Sequence, residues 1–176
     1  MRSRPPSDSG SPRPGAHYNH YAMKVSDIMT SAAIHDSPDD TLAEAARKMW
    51  HEQTGSLLVM ENNVLTGIVT ERDVLRVVAE GSDPSVTSLR EVMTKEPVTI
   101  SSDKKLSDAA NIMFDHWFRH LPVVDAEGQV CGIISLRDLL TLLAEGMEEP
   151  ETLEPLTGHK LARDVRLERV EAGDLD

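Results

Sequence analysis

Cysteine is nearly absent from this 176-residue chain: Cys131 is the only one, so no internal disulfide framework can form. A reducing, cytoplasmic setting is expected from that. Aromatic side chains are also scarce, at 3% of residues, so a core must be built from Val, Ile, Leu, Ala and Met. Positive charge is in short supply, with 18 basic groups against 30 acidic ones and a net charge of −12. That balance argues against nucleic acid as a partner, because phosphate backbones must be neutralised by Lys and Arg. It argues equally against an anionic membrane surface. No apolar run approaches the roughly 20 residues of a membrane-spanning helix. The arginines near the N-terminus are not followed by an apolar segment, so no secretory signal is expected. No Ser-His-Asp set, glycine-rich phosphate loop or paired-carboxylate arrangement stands out. His116 and His120 are four apart, but Trp117 occupies the place where the zinc-protease pattern has Glu, and no third ligand is evident. No metal is therefore expected.

What charge there is lies unevenly. Residues 1–24 carry +3, residues 25–145 carry −10 and residues 146–176 carry −5. The first 22 residues are rich in Pro, Ser and Gly and lack apolar periodicity. Such a segment buries too little surface to offset chain entropy, so residues 1–22 are expected to form a disordered arm. Residues 148–176 are expected to form an acidic linker and tail, in which residues 156–176 are expected to be disordered, with a short strand, a weak helix or a partner-binding segment as the alternatives.

The part between repeats itself. Val25-Ser26-Asp27-Ile28-Met29-Thr30 matches Leu89-Arg90-Glu91-Val92-Met93-Thr94. Thr41-Leu42-Ala43-Glu44-Ala45-Ala46-Arg47-Lys48-Met49 matches Lys105-Leu106-Ser107-Asp108-Ala109-Ala110-Asn111-Ile112-Met113 at the same spacing. Gly67-Ile68-Val69-Thr70-Glu71-Arg72-Asp73 then matches Gly132-Ile133-Ile134-Ser135-Leu136-Arg137-Asp138, one residue further on. Three blocks in one order, with one insertion in a turn near Gly128, define an internal repeat. The copies are placed at residues 23–83 and 84–147.

Each copy reads as β-α-β-β-α, giving an α/β (α+β) fold of two pseudo-symmetric units. A short extended piece is expected at residues 33–35 and again at 97–100. Leu42, Ala45, Ala46 and Met49 follow the helical i, i+3, i+4, i+7 rule, and Thr41 with Glu44 forms a capping box. Strands are expected at 56–60 and 64–69, and at 121–124 and 130–134. A closing helix starts after Thr70 in the first copy and after Ser135 in the second. Each unit has about 60 residues, too few for a secure core alone, so the two should pack together.

These repeated blocks, together with Arg119-His120-Leu121-Pro122-Val123-Val124-Asp125, resemble a pair of cystathionine-beta-synthase (CBS) domains, the tandem unit called a Bateman module. The resemblance covers residues 25–145. It implies a regulatory module without catalytic activity that binds an adenosyl ligand (AMP, ADP or ATP, with S-adenosylmethionine or NAD less favoured) in clefts between the units. It also implies a homodimer and a separate regulated protein of unknown identity.

The candidate site residues follow from chemistry and resemblance together. Thr70 with Asp73, and Ser135 with Asp138, open the closing helices. Each pair can cap its helix, and each carboxylate can also hold two ribose hydroxyls. The resemblance places Ile34 and Ile68 in the first copy, and Val98, Ile133 and Pro122 in the second, near the base. Thr99 lies where similar modules touch base or phosphate. Arg119 and His120 are cationic candidates for a phosphate, whereas their counterparts Gly55 and Ser56 are neutral. One anion site is therefore expected to be better than the other. Arg72 and Arg137 stand beside the two aspartates as further candidates. The low count of basic groups favours AMP over ATP. A pure interaction scaffold, whose Thr/Ser–Asp pairs only cap helices, is the alternative.

Overall fold

The computed structural model describes residues 23–31 and 33–145. The expected N-terminal arm and acidic tail lie outside these residues. Each copy forms the β-α-β-β-α order that the repeat predicts. In the first, β1 (His35–Asp36), α1 (Leu42–His51), β2 (Ser56–Glu61), β3 (Val64–Thr70) and α2 (Glu71–Ala79) follow one another. A short helix, α3 (Leu89–Val92), and a two-residue strand, β4 (Thr94–Lys95), link to the second copy. There, β5 (Ile100–Ser101), α4 (Leu106–His116), β6 (His120–Val124), β7 (Val130–Ser135) and α5 (Leu136–Glu145) repeat the pattern. The extended pieces expected at 33–35 and 97–100 sit slightly later in the chain, as β1 and β5. Their register is set by parallel pairing, His35 with Leu58 and Ile100 with Val123, which local sequence does not encode.

Local chemistry explains the boundaries. Thr41 Oγ1 accepts from the Glu44 amide at 3.3 Å, and the Glu44 carboxylate accepts from the Thr41 amide at 3.0 Å, so the expected capping box closes α1. Asn62 and Asn63 both adopt positive φ (51° and 64°) between β2 and β3, the conformation of a tight primed hairpin turn. The longer turn of the second copy ends on Gly128 at φ 80°. Leu42, Ala45 and Met49 bury one face of α1 against Leu57, Val59 and Val69. Leu106, Ala109 and Met113 do the same on α4 against Leu121, Val123 and Ile134.

The copies do not keep their leading segments to themselves. The four-stranded sheet runs β1-β2-β3-β4, with Thr94 opposite Ile68. The second sheet runs β5-β6-β7, and at the corresponding edge Thr30 bridges Ile133. Val25 is fully buried in the second copy's core, while Leu89 and Val92 are buried in the first copy's core. The backbone bonds mirror one another: Leu42 N–H donates to Thr87 O and Leu106 N–H to Met23 O, at 2.9 and 3.2 Å. Each segment that precedes a copy thus completes the core of the other.

The exchange explains two glycines of the repeated blocks. A Cβ on Gly132 would lie 2.7 Å from the Thr30 carbonyl oxygen and 3.0 Å from Met29 Sδ. A Cβ on Gly67 would collide with the Met93 side chain. The crossing segment needs the space that any larger residue would fill.

Candidate functional site

The Ser/Thr–Asp pairs sit where strand gives way to helix in both copies. Ser135 N–H and Oγ–H both donate to Asp138 Oδ2 at 2.7 Å, and the Asp138 amide donates back to Ser135 Oγ at 3.3 Å. Thr70 N–H and Oγ1–H donate to Asp73 Oδ2 at 2.7 and 2.8 Å. One carboxylate oxygen of each aspartate therefore serves the cap, a contribution of about 1 kcal/mol per helix. The second oxygens differ. Asp73 Oδ1 accepts from the Arg76 guanidinium at 3.2 Å, and the same Nη2 donates to Val92 O at 3.0 Å. Asp138 Oδ1 has no hydrogen-bond partner among the described residues.

Asp138 borders a cavity of about 540 Å³, within the range of small-molecule sites. Both copies build it. Thr30, Ala33, Ile34, Glu52, Gln53, Thr54, Gly55, Ser56 and Glu71 come from the first, and Arg119, His120, Ile133, Ser135, Leu136, Arg137, Asp138 and Leu140 from the second. Of the residues singled out in the sequence, Ile34, Arg119, His120, Ile133, Ser135 and Asp138 come together here, with Arg137 beside them. Thr70, Asp73, Ile68, Val98, Thr99 and Pro122 do not line it. Ile68 and Pro122 are buried within their sheets, and Val98 and Thr99 are exposed. Ile34 and Ile133 supply apolar surface, while Val69 and Ile134, their strand neighbours in kind, are fully buried in the two cores.

The electrostatics of the cavity are mixed. Arg119 and Arg137 face Glu52, Glu71 and Asp138. Arg119 Nη2 lies 3.9 Å from Glu71 Oε2, and both side chains are well exposed, so the pair contributes little by itself. His120 is half-buried in the cavity lining. Burial, followed by the charge of Arg119, lowers its pKa below the usual 6.5, against the opposing pull of Glu71 and Asp138. Burial thus favours its uncharged form, an imidazole that offers a hydrogen bond. Arg119 and Arg137 are then the cationic groups of the cavity lining.

Other site features were not legible in the sequence. Ser56 is 2% exposed, lines the cavity, and its hydroxyl has no partner among the described residues. A buried hydroxyl without a partner is costly, and a bound polar group would relieve it. A Cβ on Gly55 would meet His120 Cε1 at 3.1 Å and the Glu71 carboxyl at 3.2 Å, so this glycine lets both side chains approach. The His120 approach is a contact between copies, which only the assembled pair reveals. Among the described residues no cluster of three or more His, Cys, Asp and Glu converges on a point. His116 instead stacks on Phe118, with ring centroids 5.4 Å apart. Burial raises the Cys131 thiol pKa, with a smaller contribution from Asp125, which leaves it a poor nucleophile. Among the described residues no helix is long and apolar enough to cross a membrane.

The chain matches the CBS domain twice, over residues 25–80 and 89–145. It is 40% identical over 116 residues to a CBS domain-containing protein of Bacillus subtilis, covering 65% of this chain and 81% of that one. Among solved structures, a CBS-domain containing protein from Agrobacterium tumefaciens superposes with a TM-score of 0.64 at 29% identity, covering 69% of this chain and 99% of that one. A CBS domain protein from Pyrobaculum aerophilum complexed with AMP superposes with a TM-score of 0.65 at 25% identity, covering 70% of this chain and 98% of that one.

Proposed function

The chain belongs to the CBS domain family as a tandem pair, and from that premise we propose that it is a non-catalytic sensor whose Ser135–Asp138 cavity takes an adenosyl ligand. The observation that carries this reading is the open Asp138 Oδ1 on the rim of a cavity shared by both copies. Oδ1 accepts a ribose hydroxyl while Oδ2 holds the cap of α5. Ile34 and Ile133 give the base an apolar face, and Ser56 supplies a buried hydroxyl. Arg119 and Arg137, with the N-terminus of α5, attract a phosphate. Three carboxylates among the lining residues oppose further negative charge, so AMP is preferred to ATP. The relative from Pyrobaculum aerophilum, with AMP bound, agrees with this choice.

Because the lining comes from both copies, occupancy favours whichever mutual placement of the copies binds more tightly. A ligand shifts such an equilibrium only by its difference in affinity for the two states. The output is altered affinity for a separate regulated protein or for a second copy of the chain. Exposed apolar side chains recur at matched positions of the repeat, Trp50 with Phe114 and Leu75 with Leu140, and these form the proposed homodimer face.

Thermal denaturation of the full chain with AMP, ATP, NAD and S-adenosylmethionine tests the reading. A ligand that binds only the folded state raises the midpoint. AMP is expected to give the largest rise, and Asp138→Ala to remove it. A flat response to all four ligands rejects the sensor and leaves the helix-capping scaffold.

A further inference from the structure

The two aspartates occupy equivalent positions, yet among the described residues only Asp138 has a carboxylate oxygen without a hydrogen-bond partner. We infer that Arg76 is the residue that decides this: its guanidinium occupies the Asp73 position from within, so that the chain takes one ligand, at Asp138, rather than two. The inference rests on the proposed adenosyl site.

Three observations carry it. First, Arg76 Nη2 bridges Asp73 Oδ1 at 3.2 Å and Val92 O at 3.0 Å, tying α2 to the segment that crosses from the second copy. A ribose hydroxyl must displace a charge-assisted bond to reach that oxygen. Second, the residue corresponding to Arg76 in the repeat is Thr141, whose hydroxyl donates to Arg137 O at 2.9 Å within its own helix. It leaves Asp138 Oδ1 unused and spans to no crossing segment. Third, the backbone positions of Gln53 and Trp117 are equivalent, with φ of 54° and 60°. Gln53 and the following Thr54 line the cavity at Asp138. Their counterparts in the repeat are Trp117 and Phe118, both half-buried, and Phe118 packs on the second core. The Asp73 position thus has an engaged carboxylate, and the residues that match Gln53 and Thr54 in the repeat are bulkier. At Asp138 the ligand itself supplies the link between helix and cavity wall that Arg76 supplies permanently at Asp73.

The sequence swap between the two positions is the test. Arg76 and Thr141 are both exposed, so Arg76→Thr and Thr141→Arg exchange the two environments without entering the core. Isothermal titration of the full chain with AMP is expected to give one ligand per chain. Asp138→Ala abolishes binding, and Asp73→Ala leaves the affinity within about twofold. Arg76→Thr adds a second binding event. Thr141→Arg weakens AMP by about tenfold or more, the scale of one charge-assisted hydrogen bond. Two ligands per wild-type chain, loss of binding in Asp73→Ala, a stoichiometry of one in folded Arg76→Thr, or unchanged affinity in Thr141→Arg would each overturn the inference. If Arg76→Thr does not fold, wild-type stoichiometry and Thr141→Arg still decide. A wild-type chain that binds no AMP while Arg76→Thr does refutes the site at Asp138 and upholds the role of Arg76. Absence of binding in both refutes both.

Discussion

Replacing Gly132 with Ala separates steric exclusion by a backbone from exclusion by a side chain. The added methyl would sit 2.7 Å from the Thr30 carbonyl oxygen, where ordinary contact begins near 3.4 Å. That oxygen accepts from Ile133 N–H at 3.0 Å, and Thr30 N–H donates to Ile133 O at 2.9 Å. The crossing segment cannot retreat without stretching this pair. Overpacking costs about 1–3 kcal/mol. Loss of two backbone hydrogen bonds adds about 0.5–1.5 kcal/mol each. Partial relaxation trades one cost against the other, so a destabilisation of about 2–4 kcal/mol is expected. Gly67→Ala is the internal control. Its methyl meets the Met93 side chain, a flexible thioether able to move aside, and a cost of about 1 kcal/mol is expected. Urea unfolding of both variants at equal m-values measures the difference. Thr30, Ala33 and Ile34 line the cavity, so Gly132→Ala should weaken AMP as well. If Gly67→Ala proves equally or more destabilising, the assignment of a rigid clash at Gly132 is wrong.

His120 gives a pH prediction. Its pKa is lowered on folding, so the unfolded chain binds more protons as the pH falls through the usual 6.5 and below, and the folded state loses stability there. His120→Gln should flatten the decline of stability across that window while leaving stability above it little changed. Equal slopes for both proteins, measured by urea midpoints from pH 7.5 to pH 5, count against a buried neutral imidazole. The proposed homodimer face makes a second claim. Trp50 and Phe114 are each 75% exposed, and Trp50→Glu with Phe114→Glu should convert a dimer into a monomer in sedimentation without lowering the unfolding midpoint of the monomer. An unchanged sedimentation coefficient removes these residues from the interface.

Much of the architecture could be read along the chain because it rests on local rules. The α1 stripe Leu42, Ala45, Met49 and its Thr41–Glu44 box are helical periodicity and capping, and both stand in the structure. The Asn62-Asn63 turn and the strand-to-helix junctions at Thr70 and Ser135 are equally local. What sequence did not disclose depends on residues far apart. The exchange of leading segments appears only when Val25 is found among Ile100, Leu121 and Ile134. Phe114 is exposed, while Phe118 packs on the second core. The two Thr/Ser–Asp motifs are alike in spelling. The position three residues after each aspartate, Arg76 against Thr141, gives them different surroundings.

The exchanged segments also impose an order on folding. Residues 25–30 leave the ribosome before either sheet, yet their partners, Lys104, Ser102 and Ile133, lie in the second copy and are made far later. The first copy's core can close once Leu89 and Val92 have emerged. The second core must wait for β7, and then close on a segment made before the first copy. Such long-range closure is slow and leaves an apolar segment without its partner during synthesis. A cut between the two copies would therefore give two incomplete cores rather than two small domains, and mixing the halves should restore more structure than either half holds alone.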